Sequence, residues 1–581
     1  MNQQVTVRLN GILGEHLAAA VAQLSMDTPY SERLVVQDVV RDPESPRLFE
    51  DYAGDLSGRY IDACGVAFEL GLPFDTEKAQ RILTTVLNTQ NPDGSFGRPG
   101  AAGMLDHGRA WGHGRLLAGL LRAAAWSGER NAHRLRDAVP ALVRWFAYSA
   151  DDWVEWLADP VNQRRKFLLD CYSCVLPLVE YYRQSGDETA LRTAGRLAAA
   201  LPDRLEGVHM HGYLLALRGM LELGVETGNA ELSEYVLRAA DRVATGFLLP
   251  HGGVLESTTT PWDINTEGCG IADWAMLCAR LAELGRGPRH ATRYEQALFN
   301  ALLHAQHTSG HFGCETRNPD ATMLHADYAP QAWWCCTFHG VAAIGYVASR
   351  AAVVTSDAVD IALPVSFRQV VDLGDHTIDV EVTSAYPDSG PVDVRVSSTG
   401  DLPTILRLRL PRTSVLRQVL RDGETVATRF DGDRVVVDLP DGKATVRFEL
   451  EAALSFEGRG SRTFLPMANS TEPDIDLTEG PWAVYLGPRL LAASSTTNDL
   501  EDLLRIRALQ ISLHDGIVQA EDGRWRATAW GYDTFRTDVT LEPLATTDRG
   551  RNDAATRISF PILVTSPQSV HDPHEQHPHE H

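Results

Sequence analysis

Lysine is almost missing from this chain. Lys78, Lys166 and Lys443 are its three lysines, and arginine carries nearly all of the positive charge. The plain reading is a GC-rich coding sequence, which implies no binding role. Basic residues of both kinds are outnumbered, 53 against 77 acidic ones, for a net charge of −24. An acidic surface repels a phosphate backbone, so no nucleic-acid partner is expected. Long hydrophobic runs are absent as well. No stretch of about 18 apolar residues occurs, so no membrane span is expected. Met1–Leu13 reads MNQQVTVRLNGIL and lacks a basic segment followed by a long apolar one. No signal peptide is expected, and the cytoplasm is the expected compartment. Cysteine is scarce too: eight in 581 residues cannot build a disulfide scaffold. In a reducing compartment, cysteines that cluster point to metal or catalysis.

What is present is 44% apolar residues, enough for two or more domains with their own cores. From about 46 to 352 the apolar residues recur at spacings of three and four, as in Gly58–Leu70, Gly112–Trp126 and His211–Thr227. Breakers separate these segments, among them Ser185-Gly186-Asp187 and Thr227-Gly228-Asn229. Repeated helical hairpins over some 300 residues suggest a closed ring of paired helices or an α-solenoid. From 353 to 565 the period changes to two. Segments such as HTIDVEVTSAYP, TILRLRLP and ATVRFELEA alternate between turn residues, the pattern of an antiparallel β-sandwich. Residues 1–45 read as an N-terminal arm. Its QQVTVRLNG also alternates, as a strand added to the sandwich or as a frayed end. Residues 566–581 are polar and His-rich, and read as a disordered tail.

The chemistry concentrates in two short segments. NTEGCGIADW holds Glu267 and Cys269, and APQAWWCCTFHG holds Cys335 and Cys336. Three thiols and a carboxylate suit tetrahedral Zn²⁺. Adjacent cysteines cannot share one face of a regular helix or strand, so a loop or irregular turn is expected at Cys335-Cys336. Adjacent cysteines can also be small buried hydrophobes. Cys171-X-X-Cys174 has zinc-ligand spacing but lies in an apolar helical run, and reads as core, as do Cys64, Cys278 and Cys314. Glu256, in the loop PHGGVLESTTTPWD, is a candidate proton donor or else a solvated carboxylate. His113, His209 and His211 stand at helix starts, where they could hydrogen-bond sugar hydroxyls. Trp111, Trp262, Trp333 and Trp334 could stack on a ring face.

The order Glu-X-Cys, then the helix RYEQALFNALLHAQ, then Cys-Cys resembles glycoside hydrolase family 127, the β-L-arabinofuranosidase family. DYAGDLSGRYIDACGVAFELG, QNPDGSFG, HGYLLALRGMLELGVETGN and VYLGPRLLAAS extend the resemblance from about Asp51 to Ser494. It implies an (α/α)6 barrel catalytic domain followed by antiparallel β-sandwich modules. It also implies Zn²⁺ held by Glu267, Cys269, Cys335 and Cys336, with Cys335 as nucleophile. Glu256 is the one glutamate in the loop where the family carries its acid/base, although its spacing to Glu267 is shorter than the family's. The implied reaction is retaining hydrolysis of a small glycoside or oligosaccharide, with a carbohydrate as the partner. The sandwich faces of such enzymes often support dimers, which leaves a homodimer open. Two other readings use the same helical pattern. A sugar isomerase or uronic-acid lyase would not need the cysteines. A non-catalytic carbohydrate-binding protein would use zinc only to pin loops.

Overall fold

The Ser185-Gly186-Asp187 and Thr227-Gly228-Asn229 junctions show how the helical half is made. The structure is a computed structural model that describes residues 4–40, 52–98, 107–202, 207–258, 265–318, 322–327, 333–400, 403–439, 444–458, 475–512, 517–531, 536–547, 549, 551 and 554–565. In it Gly186 and Gly228 take φ values of 72° and 67°, a conformation that closes a helix and disfavours a side chain. The next residue opens another helix. The Asp187 carboxylate accepts from the Thr189 N–H at 2.9 Å, and the Asn229 carbonyl from the Glu231 N–H at 3.0 Å.

The main helices, in chain order, are α1 (Gly11–Leu24), α2 (Asp55–Glu69), α3 (Thr76–Leu87), α4 (His107–Ala123), α5 (Gly128–Ala158), α6 (Val175–Ser185), α7 (Glu188–Ala199), α8 (Met210–Thr227), α9 (Ala230–Gly246), α10 (Gly268–Glu283), α11 (Pro288–Gln296) and α12 (Trp333–Ala348). They are of two kinds. α3 is amphipathic and buries Ala79, Ile82, Leu83 and Val86, with acidic and polar residues outside. α10 is buried on every side from Gly268 to Ala279, and so must lie inside other elements. The even-numbered helices take that inner position. α2 packs on α4, α4 on α6, α6 on α8, α8 on α10, α10 on α12, and α12 back on α2. α1 packs on α12, and α3, α5, α7, α9 and α11 pack on α2, α4, α6, α8 and α10 in turn. Among the described residues no helix is long and apolar enough to cross a membrane.

The β half follows from its period-two pattern. In Thr377–Ser384, Ile378, Val380 and Val382 face the core and their neighbours do not. The described strands form sheets of seven, five and twelve strands. Pairing is antiparallel except where Ala358–Ile361 lies beside Ile405–Arg409 and Ile506–Ser512 beside Phe560–Thr565. β1 (Gln4–Leu9) pairs antiparallel with Phe367–Asp372 and so adds an N-terminal strand to the seven-stranded sheet. Three short strands leave the helical half for the largest sheet: β2 (Asn265–Glu267), β3 (Cys314–Arg317) and β4 (Met323–Asp327). The two halves are also stitched by Asn300. Its amide donates to the Pro488 carbonyl at 2.9 Å, and its carbonyl accepts from the Leu490 N–H at 2.7 Å. The VYLGPRLLAAS segment is thereby fixed against the helices. The His-rich tail lies outside the described residues.

The α2–α4 crossing leaves no room for side chains. A Cβ on Gly58 would stand 2.5 Å from the Leu116 amide nitrogen, and one on Gly119 2.4 Å from the Gly58 carbonyl oxygen. Gly195, within α7, has nothing within 4 Å of such a Cβ. Opposite signs are therefore expected in urea unfolding. Gly58→Ala should destabilise by about 1–3 kcal/mol or more through overpacking. Gly195→Ala should leave stability unchanged or raise it by up to about 1 kcal/mol through helix propensity. Equal effects would contradict this view of the crossing.

Candidate functional site

The inner helices α8, α10 and α12 begin at the same end of the helical half, and the candidate residues stand at their first turns. β2 runs straight into α10, so that Glu267 is the last strand residue and the N-cap, with Cys269 just inside the helix. Cys335 and Cys336 lie in the first turn of α12, not in the loop or irregular turn expected from their adjacency. The reason is geometric. Neighbouring residues splay around a helix axis, but at a helix end both side chains can lean over the terminus toward a common point. Cys335 Sγ lies 3.7 Å from Cys336 Sγ and 3.7 Å from Glu267 Oε1, and Cys269 Sγ lies 3.7 Å from Cys336 Sγ. The four ligand atoms all lie within 4.8 Å of one another, in a grouping able to hold a metal ion. Hydrogen bonds from the Cys269 and Cys336 thiols, aided by the Arg59 charge and opposed by burial, hold Cys335 well below its ordinary pKa. Burial above all pushes Cys269 well up, and its hydrogen bond to Cys269 does the same for Cys336.

A buried polar layer lies beneath. Arg59 donates to Cys269 Sγ at 3.6 Å and pairs with Asp55 at 2.7 Å, and the Trp111 indole N–H donates to the same Asp55 oxygen at 2.9 Å. Arg59 and Arg115 also donate to His211 Nε2, at 3.2 and 3.0 Å. His211 Nδ1 donates to Asp273 at 2.5 Å, and Asp273 also accepts from Arg218 at 2.5 Å and from His339 at 3.0 Å. Burial works to raise the Asp273 pKa, but His339, His211 and Arg218 outweigh it and hold the carboxyl well below its usual range. His211, Asp273 and His339 also fall within metal-ligating distance of one another. Here the His211 lone pair is already taken by two guanidiniums and a third touches Asp273, so this group orients hydrogen bonds and repels a cation.

At the outer side, Glu256 lies between two backbones. Its N–H donates to the Asn265 carbonyl at 2.9 Å, and its carbonyl accepts from the Met210 N–H at 2.7 Å. Its carboxylate pairs with Lys166 at 2.7 Å. His209 Nε2 bonds Glu267 Oε2 at 2.8 Å. Burial acts to lower the His209 pKa, but the Glu267 charge and hydrogen bond outweigh it, and the net shift is upward. The structure thus brings together Glu256, Glu267, Cys269, Cys335, Cys336, His209 and His211. It does not bring in His113: the Phe96 N–H donates to Nε2 at 2.8 Å and Nδ1 bonds the Ala53 carbonyl at 2.9 Å, leaving no ring nitrogen for a ligand. Trp111 is likewise covered, lying 5.7 and 5.3 Å from the Arg59 and Arg115 guanidiniums. Trp262 lies outside the described residues, as does the side chain of Trp334. Sequence reasoning passed over Asp273 and His339. Both had a signal, since each follows a cluster cysteine by four residues, one helical turn deeper. Cys314, read as core, stands opposite Glu267 in the β2–β3 register.

Burial sets a pH dependence of stability. Desolvation is the first cause that lowers His113 to about 3, and His16, His290, His307 and His339 to about 4. Unfolded histidine titrates near ~6.5. Between about pH 6.5 and 5 the unfolded chain therefore binds protons that the folded chain refuses, and stability falls as pH falls. The melting temperature should drop across that window, with unfolding at pH 5 taking up on the order of four protons. A flat melting temperature from pH 6.5 to 5 would contradict the buried, neutral histidines.

No protein-family profile matches this sequence, and no curated protein does. Solved structures do. A GH127 β-arabinofuranosidase aligns over 96% of both chains at 16% identity and a TM-score of 0.70. A GH127 β-L-arabinofuranosidase from Geobacillus stearothermophilus T6 aligns over 96% of this chain and 100% of its own, at 15% identity and 0.68. A structure described as a glycoside hydrolase aligns over 96% of both chains at 13% identity and 0.69. At such identities the likeness is one of architecture, and over nearly its whole length this chain has the fold of the family 127 glycoside hydrolases.

Proposed function

We propose that the chain is a retaining glycoside hydrolase of the β-L-arabinofuranosidase type, acting on a small glycoside or oligosaccharide. Cys335 is its nucleophile, Glu256 its acid/base, and Glu267, Cys269, Cys335 and Cys336 its zinc ligands. In this reading the two rings of helices are an (α/α)6 barrel, and the sandwich modules from 353 to 565 brace it. The observation that carries it is the spacing of the cluster on a fold shared with structures bearing that activity in their descriptions.

The donor set fits the ion. Zinc–sulfur bonds of ~2.3 Å in a tetrahedron put sulfurs ~3.8 Å apart, and a ~2.0 Å zinc–oxygen bond puts oxygen ~3.5 Å from sulfur. Here Cys269–Cys336, Cys335–Cys336 and Cys335–Glu267 are each 3.7 Å apart, and all four ligand atoms lie within 4.8 Å of one another. Zinc, when bound, keeps the cysteines as thiolates at neutral pH. The chain's own residues do the rest. Glu256 gives its proton to the glycosidic oxygen as the bond from that oxygen to C1 breaks and Cys335 Sγ bonds C1. Glu256 then takes a proton from water, the water oxygen bonds C1, and the C1–S electron pair returns to Cys335. His209 holds the free oxygen of Glu267. Arg59, through Cys269, offsets part of the cluster's negative charge.

Glu256→Gln should slow hydrolysis of alkyl arabinofuranosides by about 10²–10⁴. It should slow activated aryl arabinofuranosides far less, because their leaving groups need little protonation. Equal loss on both moves the acid role to another residue. In the same variant with an activated substrate, deglycosylation lacks its base, so mass spectrometry should find a pentosyl group on the Cys335 peptide. An adduct on a carboxylate would overturn the cysteine mechanism.

A further inference from the structure

Lys166 is one of three lysines in the chain, and it stands at the proposed acid/base. Its Nζ lies 2.7 Å from Glu256 Oε1, and no other hydrogen bond or ion pair engages that ammonium among the described residues. The Lys166 side chain is 43% exposed and that of Glu256 24%, so the pair faces water at the outer edge of the cluster. Its backbone is fixed there, because the Lys166 carbonyl accepts from the His209 N–H at 2.8 Å. Next to it Phe167 is 40% exposed, with its ring centroid 5.8 Å from the Lys166 ammonium and 5.4 Å from the His209 ring. An open aromatic ring beside polar groups suits the face of a sugar or an aromatic ring.

Protonating a leaving oxygen requires Glu256 in its acid form. A neutral carboxyl holds an ammonium more weakly than a carboxylate does, so the pair loosens when Glu256 is in its acid form. Lys166 is then a half-exposed cation without a counter-ion. The other cations around the cluster are committed: Arg59 to Asp55, Cys269 and His211, Arg115 to His211, and Arg218 to Asp273. Among these cations, Lys166 is the one whose counter-ion would lose its charge in the reaction. Resting on the glycosidase reading above, we infer that Lys166 is a specificity-determining residue that selects leaving groups bearing a carboxylate. That carboxylate sits on a uronic-acid ring or on an aromatic acid.

The test compares kcat/KM for four β-L-arabinofuranosides in two matched pairs: 3-hydroxybenzoate against 3-hydroxybenzamide, and glucuronic acid against glucose. The wild type should prefer the charged member of at least one pair by about tenfold, as expected for a charge-assisted hydrogen bond. The pair that shows it names the source of the carboxylate. Dividing the wild-type ratio by that of Lys166→Gln removes intrinsic leaving-group differences, and this quotient should also be about ten. Lys166→Arg, which keeps the charge, should retain more of the preference than Lys166→Gln. Equal rates within both pairs for the wild type overturn the inference, whatever the variants do. A preference that survives intact in Lys166→Gln overturns it as well. Cleavage of none of the four by the wild type instead removes the arabinofuranosidase reading on which it rests.

Discussion

Thiols and a carboxylate crowded to 3.7 Å make the constraint on which the rest of this structure depends. Two full negative charges at about 4 Å repel by about 4 kcal/mol at an effective dielectric constant of ~20. A cluster of four anions can be kept together only by protons or by a cation among them. The fold supplies some relief. Three inner helices begin at this end, and their N-terminal dipoles favour negative charge. Arg59 reaches Cys269 from below and His209 reaches Glu267 from the side. On the function proposed, a zinc ion held by these four residues would remove the rest.

The layer beneath serves the same end. Asp273 and His339 stand one turn below Cys269 and Cys335, and Asp273 gathers hydrogen bonds from His211, His339 and Arg218. Asp273, His211 and His339 are buried, so leaving one of them unpartnered would cost several kcal/mol. The network is therefore tightly specified, and it fixes the phase of α10 and α12. That phase aims the cysteines over the helix ends. The same commitments hold Arg59, Arg115 and Arg218 inside the site, whereas Lys166 pairs with Glu256 at its exposed edge.

The cluster of Glu267, Cys269, Cys335 and Cys336 was legible because its chemistry is local. Glu-X-Cys across a strand-to-helix junction and Cys-Cys at a helix start need no long-range knowledge to be noticed. The helical hairpins were legible for a similar reason, since Gly186-Asp187 and Gly228-Asn229 carry both the stop and the start of a helix. What stayed hidden depended on pairing and phase. Cys314 reads as a core residue until the β2–β3 register sets it opposite Glu267. Asp273 and His339 join the site only once both helices are known to begin beside each other. His113 reads as a sugar ligand, but Phe96 and Ala53, at the Asn-Pro-Asp-Gly turn and the approach to α2, take both of its nitrogens. Lys166 and Glu256 lie ninety residues apart in sequence, and only the folded chain makes them a pair.

The most direct measurement is zinc K-edge X-ray absorption on the purified full-length chain, together with elemental analysis, repeated on Cys336→Ala. The account expects one zinc per chain, with three sulfurs at ~2.3 Å and one oxygen at ~2.0–2.2 Å, and a loss of sulfur scattering or of the metal itself in the variant. A first shell of nitrogen and oxygen alone, or zinc bound equally well by Cys336→Ala, would contradict it.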